Sequence, residues 1–126
     1  MPASQAPRHA FAKALKPLLP RKWQIIPYSR NVDTLSTTMV MLKQQKIEPH
    51  PAAPLAMHTI GFTVTVVTAL TDTAASEDEL DDSVVALCHA LDEIGVAWED
   101  ATKVLFDDTH LAYDISVQIT SSKEPR

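Results

Sequence analysis

The residue pair best equipped for chemistry in this 126-residue chain is Cys88–His89, a thiol beside an imidazole. A nucleophile and its base must come within hydrogen-bonding reach of each other. As neighbours inside a helical pattern they point about 100° apart, so they cannot form that dyad together. Cys88 lies beside Val84 and Leu91, where a free cysteine is expected as a small core residue. His89 is expected to make a surface pair with Asp92 or Glu93 at helical spacing. The acids Glu77, Asp78, Glu79, Asp81 and Asp82 could ligate a cation, but they lack the glycine and the alternation of an EF-hand loop. Their place at the start of a helix, facing the positive end of its dipole, explains them as capping and a solvated face. His50, His58 and His110 fall on a hairpin tip, a strand and a turn, without metal-ligand spacing.

Phosphate chemistry needs a loop whose closely spaced glycines let backbone amides approach the anion. The chain has two glycines, Gly61 and Gly95, and each falls where an element needs it. A nucleophilic serine would need glycines around a strained turn, and no GxSxG stretch exists. The single cysteine excludes an internal disulfide, and no Cys/His set fits zinc. The expectation is a protein that is not an enzyme and holds no cofactor and no metal.

The elements follow from periodicity. RHAFAKALKPL, Arg8 to Leu18, predicts a short helix with Phe11, Leu15 and Leu18 on one stripe, ended by Pro17 and Pro20. WQII, Trp23 to Ile26, is a short strand, and Tyr28 to Ser36 reads as a loop. TTMVMLKQQKI, Thr37 to Ile47, is a strand whose basic, amide-rich far end should leave the core. EPHPAAP carries Pro49, Pro51 and Pro54, so residues 48–55 are expected to form the tip of a protruding hairpin.

The returning strand, roughly Ala56 to Leu70, alternates: Ile60, Phe62, Val64 and Val66 face one way, and Thr59, Gly61, Thr63 and Thr65 the other. Gly61 there points to a bulge or a close backbone approach. In TAASEDELDDSVVALCHALDEIG, Ser76 and Glu79 form a capping box, and Leu80, Val84, Leu87, Leu91 and Ile94 make the buried stripe. Gly95 closes this helix in the left-handed position. Val96 to Phe106 is a strand interrupted in its first half, followed by a tight turn at Asp107 to His110. In LAYDISVQIT, Leu111, Tyr113, Ile115, Val117 and Ile119 face in, while Ala112, Asp114, Ser116, Gln118 and Thr120 face out. The expected fold is one α+β domain over residues 1–126: a mainly antiparallel sheet with an N-terminal helix and one long amphipathic helix packed on one face. Residues 1–7 and 121–126 are expected to be flexible.

Composition fits a globular chain, with 45% hydrophobic and 21% charged residues and no apolar run of membrane length. The first residues, MPASQAPRHA, lack the apolar core of a signal peptide, so synthesis and use in a cytoplasm are expected. The net charge of −5 is unevenly spread: six bases and no acid stand before Asp33, and twelve acids face one base between Asp72 and Asp108. Either the basic head packs near the acidic segment of the same chain, or copies meet head to acidic side, a contact that generates rings or filaments. Specific nucleic-acid binding is not expected, because few aromatic residues, Phe11 and Trp23 among them, stand among the bases and the acidic remainder repels DNA.

In this order the elements resemble the tail terminator (minor tail protein) family of long-tailed bacteriophages, especially those infecting actinobacteria. The resemblance runs from about Phe11 to Ile119. It rests on the helix followed by LLPRKWQIIP, on DTLSTTMVMLKQQKI leading to the proline-bearing tip, and on DELDDSVVALCHALDEIGVAWEDATKV followed by the hairpin ending YDISVQI. It implies a structural virion subunit, assembled in the host cytoplasm into a six-membered ring on the head-proximal end of the tail. That ring stops tube polymerisation, joins the tail to the head completion proteins and lets DNA pass. The implied partners are further copies of the chain, the major tail tube protein and a head completion or connector protein, with no membrane. No catalytic residue carries over, since the family has none.

Under that reading Thr59, Thr63 and Thr65, with Ser116 and Gln118, line a lumen or subunit seam, where neutral hydroxyls satisfy neighbours without gripping phosphate. An ordinary solvated β face is the alternative, because threonine favours strands anyway. Glu48, His50, Pro51 and Pro54 are the candidate partner contacts at the hairpin tip. Two other functions stay open: a head-to-tail adaptor or head completion protein, and a small-molecule-binding α+β domain with its site between helix and sheet.

Overall fold

The structure, a computed structural model, describes residues 7–28, 37–49, 57–71, 73–106 and 110–122. Helix α1 (Pro7–Leu15) runs into a 3-10 turn at Lys16–Leu18 and is followed by β1 (Gln24–Ile26), β2 (Met39–Pro49) and β3 (Met57–Val67). Then come α2 (Thr73–Glu93), β4 (Ala97–Leu105) and β5 (Leu111–Ser122). The five strands form one sheet in the order β1-β2-β3-β5-β4. All neighbours are antiparallel except β1 and β2, which run parallel. The fold is α+β with a mostly antiparallel sheet, and the long helix packs against it, as the alternation and the helical stripe required. The parallel pair was not legible beforehand; the dozen or so residues between β1 and β2 are long enough for the chain to return and lie alongside in the same sense.

Pro7 opens α1, where its missing amide would have no partner anyway. Phe11 and Leu15 are buried as the spacing demands, and Phe11 meets Phe62 of β3 edge to face at 5.4 Å. Leu18 does not complete that stripe: it is 42% exposed, and Leu19 is buried in its place. The 3-10 turn around Pro17 packs three residues per turn where an α-helix packs 3.6, which rotates Leu18 out of line.

In α2, Leu80, Val84, Leu87 and Leu91 are buried and Ile94 packs partly buried against the same core. The chain leaves this helix through Gly95, at φ +77°. The Val96 amide donates to the Leu91 carbonyl at 3.0 Å and the Gly95 amide to Asp92 at 3.1 Å, the paired bonds of a Schellman end. The start of α2 differs from the expected capping box. The helix begins at Thr73, so Ser76 sits within its first turn, buried. Glu79 turns away from the helix end, and its Oε2 accepts from the Thr38 hydroxyl at 2.7 Å and the Ser83 hydroxyl at 2.9 Å. No acid lies in the first turn, so the dipole does not account for the acids that begin at Glu77.

Two apolar clusters lie on opposite faces of the sheet. The larger, between sheet and helices, holds Val40, Leu42, Ile60, Phe62, Val64, Val66, Ile115 and Val117 with the helix stripes. The smaller, on the far face, comprises Met39, Met41, Val67 and Ala112, with Ile26, Val104 and Phe106 packed against it. Ala112, expected to face solvent, is fully buried there: the alternation placed it on the correct face, but that face is apolar at this end of the sheet. The expected interruption in β4 is a register shift between Trp98 and Ala101. Gly61 lies opposite a bulge in β2, where the ladder steps from Gln44 to Lys46 and leaves Gln45 unpaired. A Cβ on Gly61 would meet the Lys46 Cγ at 3.3 Å, so the close approach is made by that side chain. No helix among the described residues is long and apolar enough to cross a membrane.

Candidate functional site

The β3–β5 ladder brings the predicted hydroxyl strip into one array. Thr63 stands opposite Ser116, Gly61 opposite Gln118, Thr59 opposite Thr120 and Thr65 opposite Asp114. All lie on the sheet face turned away from the helices, because alternate residues of each strand share a face. On that face the polar array continues from the smaller apolar cluster, so the sheet is dry at the Met39–Ala112 end and hydrophilic beyond Asp114.

The predicted lining residues are unequal. Ser116 and Gln118 are exposed, while Thr59 and Thr63 are half-buried. Thr65 is 1% exposed, and its hydroxyl donates to the Asp114 carboxylate at 2.6 Å. It therefore cannot present a hydroxyl to a lumen or seam, and its role is to satisfy a carboxylate at the boundary between the dry and wet halves of the face. The sequence marked Asp114 as outward-facing but did not show that it stands level with Thr65, which depends on strand register.

Two bulges frame the middle of this array. Gln45 and Lys46 stand on one side and Glu99 on the other, around a recess of about 230 Å³ whose floor includes Gly61, Thr63, Ser116 and Gln118. Residues chosen by alternation alone gave the floor; the rims come from the bulges, which re-aim side chains out of the period-two pattern. The recess offers hydroxyls, carboxamides and one charge of each sign, a lining suited to hydrogen-bonding a polar surface.

The β2–β3 hairpin carries the second predicted contact region. Its pairing continues out to Pro49 opposite His58, beyond the last buried side chain of β2, so Gln45, Lys46, Ile47 and Glu48 form an exposed arm. Glu48 sits near its end and pairs with Lys46 at 3.5 Å. Such an exposed pair contributes little to stability. Ile47 is 56% exposed on this arm. His50, Pro51 and Pro54 lie outside the described residues.

The groups first considered for chemistry are dispersed. Cys88 is half-buried against the larger core; burial, then the charge of Asp92, pushes its thiol up and keeps it protonated. His89 is exposed and makes no ion pair among the described residues; Asp92 instead accepts from the Trp98 indole at 2.9 Å. His58 lies on β3 and the buried His110 in the β4–β5 hairpin. No three His, Cys, Asp or Glu side chains among the described residues are grouped as a metal would need.

Among the described residues, Glu79 is the carboxylate whose pKa is displaced. Burial raises its pKa, but the hydroxyls of Thr68, Thr38 and Ser83, and the charge of Lys22, outweigh burial and hold it below the ordinary range. Its Oε1 is shielded from solvent and has no hydrogen-bond partner of good geometry. Thr38, Thr68 and Ser83 are buried, so this polar knot ties α2 to the ends of β2 and β3. A recess of about 210 Å³ bordered by Lys22, Thr37, Thr38 and Leu70 opens beside it.

Of the two readings of the charge pattern, the basic head lying near the acidic segment of the same chain has support among the described residues: the charge of Lys22 lowers the pKa of Glu79, and α1 borders a recess with Ile94 and Val96. The ion pairs there are Lys46–Glu48, Lys103–Glu77 and Lys103–Asp81, and none reaches the basic head. Arg8 instead donates to the Pro27 carbonyl at 3.2 Å and lies over the Tyr28 ring. Comparison with known protein families and with curated protein sequences finds no match for this chain.

Proposed function

We propose that this chain is a structural subunit of a long-tailed bacteriophage virion, a tail terminator that forms a ring on the tail tube, ends its growth and joins it to the head completion protein. The single observation that carries this reading is the β2–β3 arm. Eleven-residue strands hold Lys46, Ile47 and Glu48 out past the core, and Ile47 is left 56% exposed. Protein interfaces have an apolar centre and a polar rim, an arrangement into which Ile47 between Lys46 and Glu48 would fit. The element order and quoted segments that resemble the terminator family add to this. In the proposed ring, Thr59, Thr63, Ser116 and Gln118 line the lumen or a seam, and Thr65 supports them from within the sheet. The subunit acts by shape and contact, without a catalytic centre, resident cofactor or membrane. It assembles in the host cytoplasm, and DNA passes through the finished ring at the head-proximal end of the tail.

The test is a polymerising tail-tube preparation to which the purified chain is added. Growth should stop, with the chain found at one end of each tube. Binding to the portal side without any effect on tubes would reassign it as a head-to-tail adaptor. Virions that assemble normal tails when the chain is deleted would end the proposal.

A further inference from the structure

The geometry points to the recess on the far face of the sheet as a docking socket for an arginine side chain of another protein. Glu99 receives the charge of the guanidinium, and Thr63, Ser116 and Gln118 accept its remaining hydrogens. This narrows the role of those residues from lumen or seam to protein contact. It rests on the virion reading only for which protein supplies the arginine.

The floor comes from β3 and β5, with Thr63 level with Ser116 and Gly61 level with Gln118. Phe62 and Val117 also border the recess, but their side chains are buried in the larger core, so they leave no aromatic face on which a base could stack. The walls are the two bulges, with Gln45 and Lys46 on β2 and Glu99 on β4. Those strands are three strand spacings apart, about 14 Å. The recess holds about 230 Å³ against about 30 Å³ for one water, which is room for a long side chain lying across β3 and β5.

Charge selects the guest. Lys46 is committed to Glu48 at 3.5 Å, whereas Glu99 is exposed and is in no ion pair among the described residues. The recess is left with one uncompensated negative charge, which disfavours a phosphate or carboxylate and favours a cation. A lone carboxylate does not hold a metal, and no group of three ligating side chains stands there among the described residues. Around Glu99 the hydroxyls of Thr63 and Ser116 and the carboxamides of Gln45 and Gln118 are uncommitted to any hydrogen bond among the described residues. A guanidinium carries five donors in a planar fork and can engage a carboxylate and several neutral oxygens at once; an ammonium is a point charge with three. Lys46 adds an apolar rail. Its Cγ and Cε lie 3.3 and 3.8 Å from where a Cβ of Gly61 would stand, so its stem runs along the floor, where it can pack against the methylenes of the guest.

The probe is N-acetylarginine methylamide, titrated into the isolated, isotope-labelled chain and followed by amide chemical shifts. Saturable shifts should appear at residues 61–63, 99 and 116–118. The neutral citrulline analogue and the lysine analogue should each bind about fivefold or more weakly. Glu99→Gln should weaken the arginine probe by about tenfold. Asp100→Asn removes the same charge from the exposed neighbour, which does not line the recess, and at physiological salt should leave binding within about twofold. Both sites are exposed, so both variants should melt like wild type. Shifts that never saturate, a citrulline analogue that binds as well as arginine, or equal losses in the two variants would each overturn the inference. Self-association of wild type that Glu99→Gln abolishes would also overturn it, because the arginine would then come from a second copy. Tail capping is scored separately. A chain that binds the probe as described but never stops tube growth keeps the socket and loses the virion role; a chain that caps tubes while failing the titration loses the socket alone.

Discussion

Thr65 and Asp114 face each other across the β3–β5 ladder, and the threonine hydroxyl donates to the carboxylate at 2.6 Å where the far face of the sheet turns from apolar to polar. Replacing Thr65 with Val keeps the shape and removes the donor. The half-buried carboxylate then loses its charge-assisted bond, at a cost of about 1–3 kcal/mol. Urea unfolding of Thr65→Val, Asp114→Asn and the double variant should give a double-mutant cycle with a coupling of the same sign; independent effects would contradict the pairing.

Acid stability should depend on Glu79. Its pKa is lowered in the folded chain, so the unfolded state binds the proton more readily. The stabilisation is present above the unfolded value of about 4.3 and is lost as pH falls through it toward the folded value. In Glu79→Gln the stability curve should be flatter across that window than in wild type. In Thr38→Val/Ser83→Ala, which lacks two of the donors, acid unfolding should begin at higher pH. Parallel curves for all three chains would show that Glu79 does not titrate with folding.

The end of α2 offers a purely backbone prediction. A Cβ on Gly95 would touch nothing within 4 Å, so any cost of Gly95→Ala comes from the positive φ alone. That cost is about 1–2 kcal/mol, and Gly95→Asn should cost less, because asparagine tolerates the left-handed region. Thermal melts of the two variants provide the ranking.

On the exposed arm, Ile47→Asp should leave the melting temperature within about 2 °C of wild type, since Ile47 is mostly solvent-exposed. The same substitution should abolish capping of growing tail tubes. Full capping by Ile47→Asp would exclude the arm as the contact.

How much of this was legible beforehand depends on whether a feature is local. The stripe of α2, the left-handed Gly95, the interruption of β4 and the facing of Ile60 to Val66 are set by spacing along one segment, and the sequence carries them. Leu18, turned out of its stripe by the 3-10 turn at Pro17, is a local failure; the others involve a partner from elsewhere. Glu79 was read as a cap because Thr38, forty-one residues away, is invisible to local pattern. Thr65 was read as a presented hydroxyl because only register sets it against Asp114. Ala112 was read as solvated because the second apolar cluster draws on β2, β3 and β5 together. For the candidate site, alternation supplied the floor of the recess, and long-range bulges supplied its rims.

Ile25 and Ile26 are consecutive, yet one packs into the larger core and the other against the smaller cluster on the opposite face. A strand of only three residues therefore acts as a clasp gripping both sides of the sheet, while the antiparallel ladders draw only on residues 39–122. That division predicts a difference in local stability, in which the amino-terminal portion opens more readily than the hairpins. Amides of Gln24 to Ile26 should then exchange with deuterium ahead of those in β3 and β5, and truncation before residue 29 should leave a partly ordered remnant in place of a random chain.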